Sequence, residues 1–266
     1  MRSILVCLLL AFAPQVSAQE SALVSLETGD SVREWQAVGR LNLGDRGFCT
    51  GTLIAPQLVL TAAHCLFDKE TSAAYPVDSI LFLAGLRNGR AEAYRNVRKA
   101  IAHPDYVYSG ADSLARVPND LAILELDQPI QMSSITPFET GRPPLIGDQV
   151  EVVSYAKDRA EVPSLQESCH VLDQSNDALV LSCDVDFGAS GAPIFALRDG
   201  SLKIVSVVSA KAEVEGKRVA LGTAIVGPLA DLMAELDRQS VAPRASSGNV
   251  KFIAGGGGGG AKFVKP

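Results

Sequence analysis

Beyond residue 18 the chain has no apolar run long enough to cross a bilayer, no excess of basic charge and no Cys-x-x-Cys pair. Each absence closes a class of function. A spanning helix needs about 20 consecutive apolar residues, so no stable membrane span is expected. A formal net charge of −6 offers no basic field to nucleic acid. Zinc ligation lacks its usual spacing, since only Cys65 and Cys169 have a histidine beside them. No metal or cofactor is expected. No segment alternates strands with helices, which sets aside a parallel α/β sheet.

What is present is ordinary globular material. Of 266 residues, 47% are hydrophobic and 20% charged, enough for a sizeable core. Residues 1–18 read as a secretory signal: Arg2 supplies the positive start, "ILVCLLLAFA" the apolar run and "VSA" the small-residue cleavage site. A secreted or periplasmic product is therefore expected, without Cys7. Cys49, Cys65, Cys169 and Cys183 remain, an even count that predicts two disulfides in an oxidising compartment. Three connectivities are possible. Local pairing, 49–65 and 169–183, is favoured because each pair flanks one short predicted hairpin.

Residues 19–34 are polar and without a clear period, and read as an extended lead or pro-segment. Short Val-, Ile- and Leu-rich runs bounded by Gly, Pro, Asp or Asn follow: "WQAVGRLNL", "FCTGTLIA", "LVLTAAHC", "SILFLAG", "DLAILEL", "DQVEVVSYA", "ALVLSCDV", "APIFAL", "KIVSVVSA" and "ALGTAIVG". Many short strands predict an antiparallel barrel or sandwich. "PPLIGD", 143–148, is a plausible joint between a first half, 35–142, and a second, 143–240. "PLADLMAELDRQ", 228–239, has a helical period, with Leu229, Leu232, Met233 and Leu236 on one face and Pro228 near the start. Residues 241–266, with six consecutive glycines, read as a flexible tail.

Three segments carry chemistry. "LTAAHC" ends on His64 and Cys65, and a disulfide there can fix the turn beneath the imidazole. "NDLAIL" places Asp120 at the entry to an apolar strand, where a half-buried carboxylate can accept from an imidazole. "GASGAP" supplies Ser190. A serine hydroxyl is a poor nucleophile without a base, histidine titrates near neutral pH, and the base needs a third group to hold one tautomer. The tetrahedral oxyanion needs two donors, for which the N–H groups of Gly188 and Ser190 are the candidates. His103 and His170 lack such company and read as structural or surface residues.

These three segments, in this order, resemble the signature segments of chymotrypsin-like, or trypsin-like, serine proteases over roughly residues 35–240. The resemblance implies an all-β fold: two six-stranded antiparallel β-barrels, an active site in the cleft between them and a C-terminal helix. It implies a peptide or protein substrate, an acyl-enzyme mechanism and a monomer. It also places Asp184, six residues before Ser190, and Ser209 against the substrate. A buried carboxylate at 184 would favour Arg or Lys before the cleaved bond. Lys211 falls near the same wall and is able to narrow the entrance or pair with Asp184. Two alternatives stand beside this reading: an acid preference like that of glutamyl endopeptidases, and a non-catalytic binding module on the same fold. The strand "KIVSVVSAK" lacks the histidine that glutamyl endopeptidases usually carry there.

The chain departs from the digestive members of the family at Ala189, where they have an aspartate that pairs with a new N-terminal ammonium. The matching Ile/Val-Val-Gly-Gly segment is also missing, "REWQAVGR" standing in its place. Losing one partner would leave a buried charge alone at a cost of about 3–5 kcal/mol. Losing both leaves none, so the expectation is a site that forms without this switch.

Overall fold

A computed structural model describes residues 20–45, 47–108, 114–175 and 178–241. The expected signal at 1–18 and the tail beyond Val241 lie outside these residues. The chain opens with β1 (Val24–Ser25) and a single capped turn, α1 (Gly29–Val32). Six strands then follow: β2 (Val38–Leu43), β3 (Gly47–Ala55), β4 (Leu58–Thr61), β5 (Ile80–Ala84), β6 (Ala93–Ala102) and β7 (Ala122–Leu126). They close into a barrel in the order β2-β3-β4-β7-β6-β5. A second set follows: β8 (Gln149–Ala156), β9 (Arg159–Ser175), β10 (Ala178–Leu181), β11 (Pro193–Arg198), β12 (Ser201–Val214) and β13 (Lys217–Ala224). These pair in the order β9-β10-β13-β12-β11-β8, and β8 also pairs with β9, which closes the ring. The helix α2 (Val226–Val241) ends the described chain.

Alternation fills the barrels. Leu41, Leu53, Phe82, Ile123 and Leu124 are fully buried in the first, and Val150, Leu179, Ile194 and Val205 in the second. Phe195 of β11 packs against Trp35 and, from the connecting segment, Phe138, with ring centroids 5.3 and 4.6 Å apart. Tyr155 of β8 donates its phenol to the carbonyl of Leu86 at 2.8 Å, tying the second barrel to the end of β5. The helix α2 buries Leu232 and Leu236, and its Asp231 lies 3.6 Å from Nε2 of the buried His103 on the first barrel. Pro228 sits in the first turn, where a backbone N–H has no intrahelical partner to lose.

Several expectations change in detail. Of the lead or pro-segment expected at 19–34, residues 20–34 are described, and the first of them run against the second barrel. Ser21 N–H donates to Ser168 O and Leu26 N–H to Pro163 O, both at 2.9 Å, so the segment runs along β9. It shows no period because only Leu26 and Val32 turn inward before Trp35. The run "LVLTAAHC" stays extended only to Thr61, then winds into a 3-10 turn, Ala63–Leu66. Neither β6 nor β9 stood out as a strand. A register shift at Val97/Lys99 breaks the period of β6, and β9 turns polar Ser164 and Gln166 inward.

Candidate active site

The 3-10 turn at the end of β4 carries His64 to the mouth of the first barrel, and a disulfide ties its Cys65 to Cys49 of β3 with Cα atoms 6.2 Å apart. The second disulfide, Cys169–Cys183, spans the β9–β10 hairpin. Both follow the local pairing. The sulfurs beside His64 are consumed in the disulfide, so this cluster has no thiolate to offer a metal.

Asp120 enters β7 almost completely buried. Its Oδ1 accepts the His64 backbone N–H at 2.8 Å and its Oδ2 lies 2.7 Å from His64 Nδ1. Ser209 of β12 donates its hydroxyl to the same Oδ2. Burial raises the Asp120 pKa, but the attraction of His64 and the hydrogen bonds from His64 and Ser209 outweigh it and hold the carboxyl below its ordinary value. An ionised carboxylate only accepts, so Nδ1 carries a proton, which in the neutral ring is the tautomer that leaves the lone pair on Nε2.

Ser190 sits in the turn between β10 and β11, and its backbone bonding is close to complete. Phe187 O accepts from Lys157 N–H at 2.8 Å, Gly188 O from the Thr50 hydroxyl at 2.9 Å, Ala189 O from Ala192 N–H at 2.9 Å and Ser190 O from Thr50 N–H at 2.8 Å. Ala189 N–H and Gly191 N–H are also paired, with Asp186 O and Val208 O. Among the described residues from Phe187 to Ala192, only the N–H groups of Gly188 and Ser190 have no partner. Gly188 has φ +98°, and a Cβ on it would lie 2.2 Å from the Phe48 ring, so the turn requires glycine twice over. Ala189 is fully buried among apolar neighbours.

His64, Ser190 and Gly188 line one cleft of about 340 Å³ with Phe48, the Cys49–Cys65 disulfide, Lys69, Lys157 and Phe187. The turn that carries Ser190 belongs to the second barrel, while His64 and Asp120 belong to the first. The cleft can therefore present a hydroxyl, a base and two open N–H donors to one carbonyl.

The remaining site residues lie differently. Asp184 is exposed, does not line this cleft and has its N–H bonded to Gln166 Oε1 at 2.8 Å. Lys211 pairs with Asp186 at 2.7 Å rather than with Asp184, and its Nζ lies 4.0 Å from the centre of the exposed Phe187 ring. Ser209 spends its hydroxyl on Asp120. Sequence reasoning passed over Thr50. Its signal was a threonine at an inward, fully buried position of an apolar strand.

Comparison with known proteins places the chain by family and fold. The trypsin family model matches residues 27–225. A modular serine protease of Drosophila melanogaster is 36% identical over 96 residues, covering 33% of this chain and 14% of that protein. A glutamyl endopeptidase of Bacillus licheniformis is 28% identical over 150 residues, covering 56% of this chain and 45% of that protein. The chain thus spans less than half the length of these curated relatives. The solved structure of a Glu endopeptidase in complex with MPD superposes with a TM-score of 0.65 at 19% identity, covering 84% of this chain and all of that one, a likeness of fold. With every strand of its two barrels inside the matched region, the chain belongs to the trypsin family.

Proposed function

We propose that the protein is a secreted serine endopeptidase working through Ser190, His64 and Asp120. The observation that carries this reading is the pair of open N–H groups, Gly188 and Ser190, in a segment, Phe187 to Ala192, whose other N–H groups are bonded, beside a histidine held by a buried carboxylate. Ser190 Oγ attacks the substrate carbonyl while His64 Nε2 takes its proton, and the oxyanion rests against the two N–H groups. His64 then passes that proton to the departing amine, leaving an acyl ester on Ser190. Water, deprotonated by His64, hydrolyses the ester and restores the serine. Asp120 stabilises the imidazolium throughout and keeps its own charge. Two disulfides suit an oxidising compartment outside the cytosol. A fluorophosphonate should label Ser190 covalently, and Ser190→Ala should abolish both labelling and peptide hydrolysis; labelling at another residue refutes the mechanism.

A specific observation bears on preference. The Arg/Lys reading needs a buried carboxylate at 184, and Asp184 is exposed. A cation borders the cleft through Phe187, which lines it: Lys211, two residues past Ser209, lies over that ring and pairs with Asp186. The pair is about half exposed on both sides and worth about 0–1 kcal/mol, so a substrate carboxylate is able to replace Asp186 on Lys211. Together with the glutamyl endopeptidase relative, this favours an acidic residue before the cleaved bond.

A further inference from the structure

The nucleophile turn has to keep two N–H groups aimed at the same point, and its own backbone works against it. Gly188, at φ +98°, has no side chain to restrict it, and buried Ala189 carries no charge that an ion pair could hold. What restrains the turn is bonding at its carbonyls. A trans peptide points its N–H opposite its C=O, so tying Phe187 O to Lys157 N–H turns the Gly188 N–H outward. The Ser190 N–H shares its peptide with Ala189 O, which Ala192 N–H holds. The peptides that leave the two donor residues, through Gly188 O and Ser190 O, are both held by one residue of the other barrel, Thr50, so each donor residue is fixed on its far side as well.

Thr50 is fully buried and every polar group it has is engaged. Its N–H donates to Ser190 O at 2.8 Å and its carbonyl accepts from the Thr61 hydroxyl at 2.9 Å. Its hydroxyl accepts from Tyr155 N–H at 3.1 Å and lies 2.9 Å from Gly188 O. An amide N–H can only donate, so the single hydroxyl proton is left to point at Gly188 O. Thr50 also sits next to Cys49, whose disulfide braces His64. One residue of β3 is thereby coupled to the base on one side and to the nucleophile turn on the other.

We propose that Thr50 is the positioning residue that holds the Gly188 and Ser190 N–H groups at the developing oxyanion, doing by hydrogen bonds between the barrels what a buried ion pair at position 189 would otherwise do. The proposal rests on the peptidase reading of the site. Thr50 touches no substrate; it acts through the turn. Its loss should therefore spare ground-state binding and weaken only what depends on the oxyanion donors.

The test compares wild type, Thr50→Val and Thr50→Ser on one peptide amide and one peptide aldehyde, whose oxygen sits at the two donors after addition to the nucleophile. Thr50→Val should lower kcat roughly a hundredfold, the scale of losing one oxyanion donor, with KM within about twofold. Aldehyde affinity should fall by a similar factor, and Thr50→Ser should recover most of both. Thermal unfolding of each variant separates a folded, slow enzyme from an unfolded one. If Thr50→Val does not fold, Thr50→Ala, with space for a water at the lost hydroxyl, takes its place. The proposal is overturned if the folded variant keeps kcat within about threefold of wild type, or if Thr50→Ser is as slow as Thr50→Val. A wild type that neither cleaves amides nor takes a phosphonate at Ser190 would instead overturn the peptidase reading itself.

Discussion

Ser209, on β12 of the second barrel, donates its hydroxyl to Oδ2 of Asp120, which sits two residues before β7 of the first. The carboxylate that orients His64 is therefore held from both sides of the barrel interface. Oδ2 takes the imidazole and the serine, and Oδ1 takes the His64 backbone N–H.

Asp120→Asn should lower turnover by about four decades, because an amide at this position favours the wrong imidazole tautomer. Burst kinetics with an activated ester would show the loss in acylation. A variant within about tenfold of wild type would remove Asp120 from the mechanism.

Ser209→Ala should show its effect through pH. The Asp120 pKa is depressed in the folded protein, so its contribution to stability is complete above the ordinary value of 3.8 and is lost as pH falls through the folded value. Removing one donor raises the folded pKa and shrinks that contribution. The stability difference between wild type and Ser209→Ala should then be larger at neutral pH than in strong acid. Denaturant unfolding across this range measures it, and a difference independent of pH would contradict the linkage.

Replacing both Cys49 and Cys65 by alanine should cost roughly 2–5 kcal/mol and lower activity in the protein that remains folded, because His64 loses its brace. The same change at Cys169 and Cys183 should cost comparable stability with a smaller loss of kcat. Equal losses of kcat in the two double variants would mean that the first disulfide has no special hold on His64.

Residues 20–28 lie along β9, with Leu26 buried. Deleting them should lower the melting temperature without switching activity on. A gain of activity would identify the segment as an inhibitory pro-segment and a new N-terminus as an activator, against the account of Ala189.

Lys211→Glu should reduce kcat/KM for substrates with Glu before the cleaved bond and raise it for Arg, while Asp186→Asn should favour Glu. Asp184→Ser should leave both unchanged. A selective fall for Arg and Lys in Asp184→Ser would restore the pocket role to that carboxylate.

The local code for most of this molecule is written in short range. Alternating Val, Ile and Leu runs between turn residues mark most of the strands, and the period of 228–239 marks the helix, because each such element buries one face. His64, Asp120 and Ser190 are legible because each stands in a segment shaped around it. β6 and β9 were illegible because register shifts and inward polar residues erase the period of two. The partners of Thr50, Ser209 and Lys211 were beyond the sequence for a different reason. Thr50 meets Gly188 across 138 residues, Ser209 meets Asp120 across 89, and Lys211 chooses Asp186 over Asp184. A hydrogen bond is decided by a few tenths of an ångström and by direction. The docking of one closed barrel on the other sets the first two, and the folding of the β10–β11 turn against β12 within the second barrel sets the third.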